Sequence, residues 1–261
     1  MSHPSVRLLI SCVVFGAWGF GSAAAAPPGR DWVCTFAEEF DAPDLDPSRW
    51  ATPPVVAAEA GLPGRFLLSD GALHLVLRPD GHRPWTSTRL STRGFHQTFG
   101  YFEVRLRYAR STGLANVFGL STDHPVTTGG LDIAVIEGTY PSGVAVHLRR
   151  LGRAASGARR ILAGIDLSAE YHLYALEWRP DSRGLPNLVW YVDGSPVHRA
   201  SCSECTQPMQ LRLETVVTAW DGPFAPVRDG ASMDVDYVRV YQLPRLLGRE
   251  TTKPRHGATR K

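Results

Sequence analysis

The chain has 261 residues, a formal net charge of +3, 43% hydrophobic residues and 20% charged residues. This length and apolar content suffice for a large hydrophobic core, so an intrinsically disordered chain is excluded. The small basic excess is spread along the sequence, which excludes a nucleic-acid-binding protein.

Residues 1–26 have the features of a secretory signal peptide. Arg7 precedes an apolar run from Leu8 to Phe20, and small residues follow up to Ala26. The run is shorter than the roughly 20 residues that span a bilayer, and no second run of that length follows. We therefore expect cleavage of the signal, no membrane span, and export to the periplasm or the medium.

Three cysteines remain after the signal: Cys34, Cys202 and Cys205. The spacing Cys-x-x-Cys fits a redox pair or half a zinc site, but no second pair of cysteines accompanies it. A disulfide is favoured, either between Cys202 and Cys205 or between Cys34 and one of them.

Beyond Pro27 the chain alternates short apolar runs with turn residues such as Asp70-Gly71 and Asp193-Gly194. Runs of this kind, without sustained helical periodicity, predict strands. The ten predicted strands cover Trp32–Phe40, Ala72–Arg78, Gly100–Tyr108, Val117–Ser121, Asp132–Glu137, Gly143–Arg149, Tyr171–Trp178, Leu188–Val192, Met209–Val217 and Met233–Gln242. The pattern predicts an all-β sandwich of two antiparallel sheets in one domain, 27–243.

The last segment, 244–261, differs in composition. It is rich in arginine and lysine and contains a single acidic residue, Glu250. This predicts a basic, disordered, solvated tail, and adhesion to an anionic polymer or membrane is the functional alternative.

Four stretches, in this order, carry a family resemblance: Phe36–Asp41 with Trp50, Ser87–Thr92 with Phe99–Arg105, Tyr171–Trp178 with Trp190–Gly194, and Met233–Tyr241. Together they resemble the family-16 glycoside hydrolases, endo-acting enzymes on β-linked glucans and galactans. The resemblance implies a jelly-roll sandwich of two curved antiparallel sheets, of the concanavalin A-like type. The concave sheet would form a glycan-binding cleft, with a β-linked polysaccharide as the partner.

The family's catalytic strand reads Glu-x-Asp-x-Glu or, with a bulge, Glu-x-Asp-x-x-Glu. The similar stretch here is Asp132-Ile-Ala-Val-Ile-Glu137. The resemblance implies that Glu137 is the acid/base and that Asp132 stands at the nucleophile position, with Ala134 in place of the middle Asp. Because strand residues alternate between faces, Asp132 and Glu137 share a face only if a β-bulge separates them. The shorter Asp opens the carboxyl separation to roughly 6.5–7 Å, beyond the roughly 5–5.5 Å of a retaining enzyme.

Other residues near this strand are candidates for sugar contact. In Ala115-Asn-Val-Phe-Gly119, Phe118 keeps one of three aromatic positions of the family, and Glu214 replaces an Asn. Trp220 is a candidate stacking platform, with a core Trp as the alternative. His147, Glu103 and Arg105 are further candidates; the alternatives are a core histidine and solvated strand residues.

The sequence contains no zinc-ligand spacing, phosphate loop or serine-hydrolase elbow, so we predict no cofactor and no catalytic metal. Some relatives of this fold hold a structural calcium ion, for which oxygens near Phe40-Asp41 and Asp236 are the candidate ligands. The leading hypothesis is an exported β-glycan hydrolase of altered activity. A non-catalytic β-glycan-binding module and a structural envelope protein are the alternatives.

Overall fold

The computed structural model describes residues 27, 29, 31–51, 65–76, 88–122, 130–138, 140–149, 156–217 and 232–247. The predicted signal peptide, Trp220 and residues 248–261 of the predicted tail lie outside these residues.

The described part of the chain is almost entirely β-structure. Its fifteen strands, in chain order, are β1 Val33–Glu38, β2 Trp50–Ala51, β3 Arg65–Ser69, β4 Ala72–Val76, β5 Thr88–Thr92, β6 Gly100–Arg107, β7 Leu114–Ser121, β8 Gly130–Glu137, β9 Gly143–Arg149, β10 Ser156–Ile161, β11 His172–Pro180, β12 Pro186–Val192, β13 Ser195–Ser201, β14 Gln210–Val217 and β15 Ser232–Gln242.

The strands form two antiparallel sheets. Sheet A has the order β13-β12-β11-β6-β15-β4-β3, with β1 paired to β15. Sheet B has the order β10-β9-β8-β7-β14-β5-β2. The predicted all-β class and the sandwich of two antiparallel sheets are therefore confirmed.

The main hydrophobic core lies between the sheets and takes alternate residues from each strand. It includes Phe102 and Trp178 of sheet A and Phe118, Leu131 and Leu213 of sheet B. The intervening residues form an outer face on each sheet, and the outer face of sheet B carries a second, smaller apolar cluster around Ala115, Val117, Val135 and Ala145. The period-2 pattern therefore fixes which side chains reach the candidate site.

All ten strands predicted from alternation are present, with ends shifted by a few residues. The list omitted β2, β3, β5, β10 and β13, and four of these are the terminal strands of their sheets. Edge strands have few buried side chains, as in β10 and β13, so an apolar alternation does not mark them.

Two expectations are decided in this part of the chain. The disulfide joins Cys202 to Cys205, so Cys34 lies outside the bridge. The predicted tail begins too early, because Pro244–Leu246 forms a short 3-10 helix in which Leu246 is buried. Within the described residues, no helix is long and apolar enough to span a bilayer.

Candidate active site

The strand that holds the candidate carboxylates contains the expected β-bulge. Asp132 pairs with His147 of β9 and Val135 pairs with Ala145, so two residues of β8 face one residue of β9. Ile133 and Ala134 both point into the main core. The bulge therefore places Asp132, Val135 and Glu137 together on the outer face of sheet B.

A tryptophan from the opposite sheet supports the bulge. A bulge interrupts the ladder and leaves backbone groups without strand partners. The indole Nε1 of Trp190, in sheet A, donates to the backbone oxygen of Asp132 at 3.0 Å. Trp190 is 1% exposed, so this hydrogen bond satisfies a buried carbonyl and fixes Asp132 relative to the core.

Basic side chains from two other strands hold the Asp132 carboxylate. Arg212 of β14 lies 2.6 Å from Oδ1 and Arg149 of β9 lies 3.1 Å from it, while His147 Nδ1 lies 3.4 Å from Oδ2. Burial alone would raise the pKa of Asp132, but His147 and the charges of Arg212 and Arg149 outweigh it and lower the pKa. Asp132 is therefore an ionised, fully paired carboxylate.

A glycine allows the ion pair between Arg212 and Asp132 to cross an intervening strand. Strand β7 lies between β14 and β8, and its Gly119 is the register partner of both Arg212 and Asp132. A side chain at Gly119 would meet the Leu131 backbone oxygen at 2.9 Å and Asp132 Oδ1 at 3.3 Å. The absent side chain is therefore what opens the path for the Arg212 guanidinium.

The ionic network continues to Glu214. Its carboxylate lies 2.6 Å from Arg89 of β5 and 3.2 Å from Arg212. Glu214 is 6% exposed and Arg212 is 8% exposed. A chain of alternating charges thus runs across the outer face of sheet B, from β5 to β9.

Glu137 belongs to a separate group at the end of β8. It pairs with Arg159 of the edge strand β10. The Arg159 guanidinium also lies over the ring of Tyr140, 4.9 Å from its centroid. The two candidate carboxylates therefore share a face but have different arginine partners, and Val135 lies between them.

Three predicted site residues lie elsewhere, which corrects those assignments. Phe118 is 0% exposed and belongs with Leu120 of β7 to the core between the sheets. Glu103 and Arg105 share a face of β6, and this strand belongs to sheet A. Arg105 pairs at 2.6 Å with Asp236, the carboxylate that was suggested as a calcium ligand.

The arginines are the residues that the sequence analysis missed. Arg89, Arg149, Arg159 and Arg212 all have the strand parity of the outer face. That parity was readable once the strands were assigned. The candidates that the sequence offered include one arginine, Arg105, and none of these four.

No metal centre is evident in the part of the chain that is described: three or more His, Cys, Asp or Glu side chains nowhere converge on one point. A cavity of about 200 Å³ lies away from both carboxylates, between Thr35, the loop at Gly94–Gln97 and Leu247.

Comparison with known proteins gives one family. The sequence-family model described as "Glycosyl hydrolases family 16" matches residues 64–239 of this chain. The endo-1,3-1,4-beta-glycanase EglC of Rhizobium meliloti is 28% identical over 191 residues, covering 68% of this chain and 40% of the relative. A beta-glucanase of Acetivibrio thermocellus is 26% identical over 244 residues, covering 91% of this chain and 70% of the relative.

Solved structures give the same fold. The laminarinase catalytic domain of Thermotoga maritima superposes with a TM-score of 0.70 at 24% identity, covering 82% of this chain and 99% of that domain. The endo-beta-1,3(4)-glucanase SCLam superposes with a TM-score of 0.71 at 22% identity, covering 84% and 94%. At these identities the likeness shows the jelly-roll fold alone.

Proposed function

Because the chain belongs to family 16 of the glycosyl hydrolases, we propose that it recognises a β-linked glucan along the outer face of sheet B and does not cleave it by double displacement. The relatives named as β-glucanases support the glucan. The pairing of both candidate carboxylates with arginines is the observation that supports the absence of double displacement.

Double displacement needs two carboxyl groups about 5–5.5 Å apart, one of them free to attack the anomeric carbon. Asp132 and Glu137 are separated by four register steps across the bulge, which is roughly 13 Å between Cα atoms. Asp132 Oδ1 is in contact with the guanidinium groups of Arg212 and Arg149, and Oδ2 lies 3.4 Å from His147 Nδ1. A carboxylate held in this way is a poor nucleophile, since its lone pairs point at donors rather than at a sugar.

The position of the bulge supports a different alignment with the family pattern. In Glu-x-Asp-x-x-Glu, alternation requires the extra residue to lie between the Asp and the second Glu. Here the extra residue lies between Asp132 and Val135. In that register Asp132 matches the middle Asp, Gly130 matches the first Glu and Val135 matches the second, so neither reacting carboxyl is retained.

Affinity electrophoresis tests the binding proposal. Wild-type protein and the Asp132→Asn and Glu137→Gln variants are run in native gels with and without mixed-linkage β-1,3-1,4-glucan. We expect the polymer to retard the wild type and Glu137→Gln, because binding does not need a reacting carboxyl and the Gln side chain keeps an oxygen that accepts from a sugar hydroxyl. Equal mobility of the wild type with and without the polymer would overturn the proposal.

Slow hydrolysis is the second candidate, favoured by the shared face of Asp132 and Glu137. Its assignment of nucleophile and acid/base to this pair stays a prediction. It requires reducing ends to be released by the wild type and lost in both variants. Equal traces from the three proteins would eliminate it.

Export of the mature chain is a further part of the proposal. The Cys202–Cys205 disulfide supports it, because such bonds persist in oxidising compartments. N-terminal sequencing of protein from the periplasm or medium should find a start near residue 27. Recovery of full-length chain from the reducing cytosol would contradict this.

A further inference from the structure

One exposed group of side chains lies beside Glu137 at the β8–β9 turn. Tyr140 is 44% exposed and Ile161 is 63% exposed, in a face whose central residues are almost completely buried. A Cβ at Gly143 would lie 3.2 Å from Tyr140 Cβ and 3.5 Å from Ile161 Cδ1. Gly143 therefore allows these two apolar side chains to lie together.

Charged groups border this apolar pair. Arg159 covers part of the Tyr140 ring, at 4.9 Å from the centroid, and pairs with Glu137. The Glu137 side chain is 13% exposed and that of Arg159 is 44% exposed. An aromatic ring thus stands next to a carboxylate acceptor and a guanidinium donor, both accessible from the solvent.

Backbone hydrogen bonds hold Gly138 and Tyr140 in place. The Gly138 amide donates to Leu114 O at 2.8 Å, and the Tyr140 amide donates to Glu137 O at 3.0 Å. A side chain on Gly138 would collide with the Ser111 backbone oxygen at 2.0 Å, so the turn packs directly on the neighbouring loop. Binding at such a site orders few groups, which favours affinity.

We propose that Tyr140, Arg159 and Glu137 form a sugar-binding subsite for one pyranose unit of the glucan; this rests on the proposed function. The apolar face of the pyranose stacks on Tyr140 against Ile161, and adjacent hydroxyls bind the carboxylate and the guanidinium. A protein partner fits less well, because one ring and one isoleucine are far smaller than the roughly 800 Å² per partner of a stable interface.

The test is calorimetric titration of wild type, Tyr140→Ala, Tyr140→Phe and Arg159→Gln with a mixed-linkage glucan oligosaccharide. Tyr171→Ala is the matched control, since Tyr171 also lies beneath arginines, with Arg105 at 4.9 Å, but beside β6 of sheet A. We expect Kd to rise about 10-fold for Tyr140→Ala and about 5-fold for Arg159→Gln. Tyr140→Phe and Tyr171→Ala should stay within about twofold of the wild type, because both leave a ring on the turn beside Glu137.

Wild-type affinity for Tyr140→Ala would overturn the subsite and leave the proposed function standing. Absence of binding by the wild type would overturn both. Because Tyr140 is 44% exposed, we expect the variants to keep the melting temperature of the wild type, which separates a loss of affinity from a loss of folding.

Discussion

Two buried carboxyl groups on opposite sheets have pKa values that are shifted in opposite directions. Asp132, on the outer face of sheet B, is 4% exposed, and its pKa is lowered. Glu103, on the outer face of sheet A, is 1% exposed, and burial raises its pKa to about 7. Burial is similar, so the difference comes from the partners.

Asp132 has Arg212, Arg149 and His147 around it. Glu103 is the register partner of Arg239, but that guanidinium makes two hydrogen bonds of 2.8 Å to Glu39. Glu103 keeps one long contact, 3.4 Å from the Tyr241 hydroxyl, and its Oε2 has no partner among the described residues. The carboxyl whose pKa is raised to about 7 thus lies on the sheet that holds neither candidate catalytic carboxylate.

The largest expected effect is the loss of stability when the ionic network around Asp132 is broken. Arg212→Met removes the charge but keeps most of the volume, and leaves a buried carboxylate with weaker partners. We expect a loss of about 3 kcal/mol in the free energy of unfolding, measured with urea. Arg110→Met is the control, because the Arg110 side chain is 60% exposed and its pair with Asp166 contributes under about 0.5 kcal/mol. A loss below about 1 kcal/mol for Arg212→Met would contradict the account.

Glu103 predicts a pH dependence of stability. Its pKa is raised from 4.5 in the reference state to about 7 in the fold, so the folded chain binds a proton that the unfolded chain has lost. Stability should fall by about 2–3 kcal/mol as the pH rises from about 4.5 to 7, and Glu103→Gln should remove that fall. Urea unfolding from pH 4.5 to 8 measures it, with the exposed Glu170→Gln as control. An identical dependence of stability on pH in Glu103→Gln and wild type would contradict the prediction.

The lowered pKa of Asp132 has the opposite effect on stability. Its contribution to stability is lost only as the pH falls below about 3.8.

Gly119→Ala tests the crossing of β7. The new Cβ would approach the Leu131 oxygen to 2.9 Å and crowd the path of Arg212. We expect about 1–2 kcal/mol of destabilisation. Ser121→Ala on the same strand should change stability by less than about 0.5 kcal/mol. Equal stability of both variants would mean that Gly119 has no such role.

The smallest expected effect is a change in the pKa of Glu103, and it tests whether arginine partners explain the difference between Glu103 and Asp132. Glu39→Gln releases Arg239, which can then pair with Glu103, and it also removes a negative charge that raises the pKa of Glu103. The pKa of Glu103 should fall below about 7, as read by carbon NMR of the side-chain carboxyl. An unchanged or higher value would show that Arg239 is not the deciding partner.

The sequence predicted the interior strands except β5, and it predicted the shared face of Asp132 and Glu137, because both follow from the alternation of side chains and one bulge. It missed the edge strands, where exposure removes that alternation. It also missed that Asp132 is paired and ionised. This pairing depends on Arg212, which lies 80 positions away in the sequence and contacts Asp132 across β7. Contacts of this kind depend on register, and a motif contains no information on register between distant strands.

The reaction of bound glucan with water tests the central claim most directly. A mixed-linkage oligosaccharide is incubated with the wild-type protein in H₂¹⁸O for several days, and the masses of the products are measured by mass spectrometry. We predict recovery of the intact oligosaccharide, with no labelled shorter products. Labelled fragments formed by the wild type and absent with Asp132→Asn would contradict it, since they would show that the paired carboxylate takes part in hydrolysis.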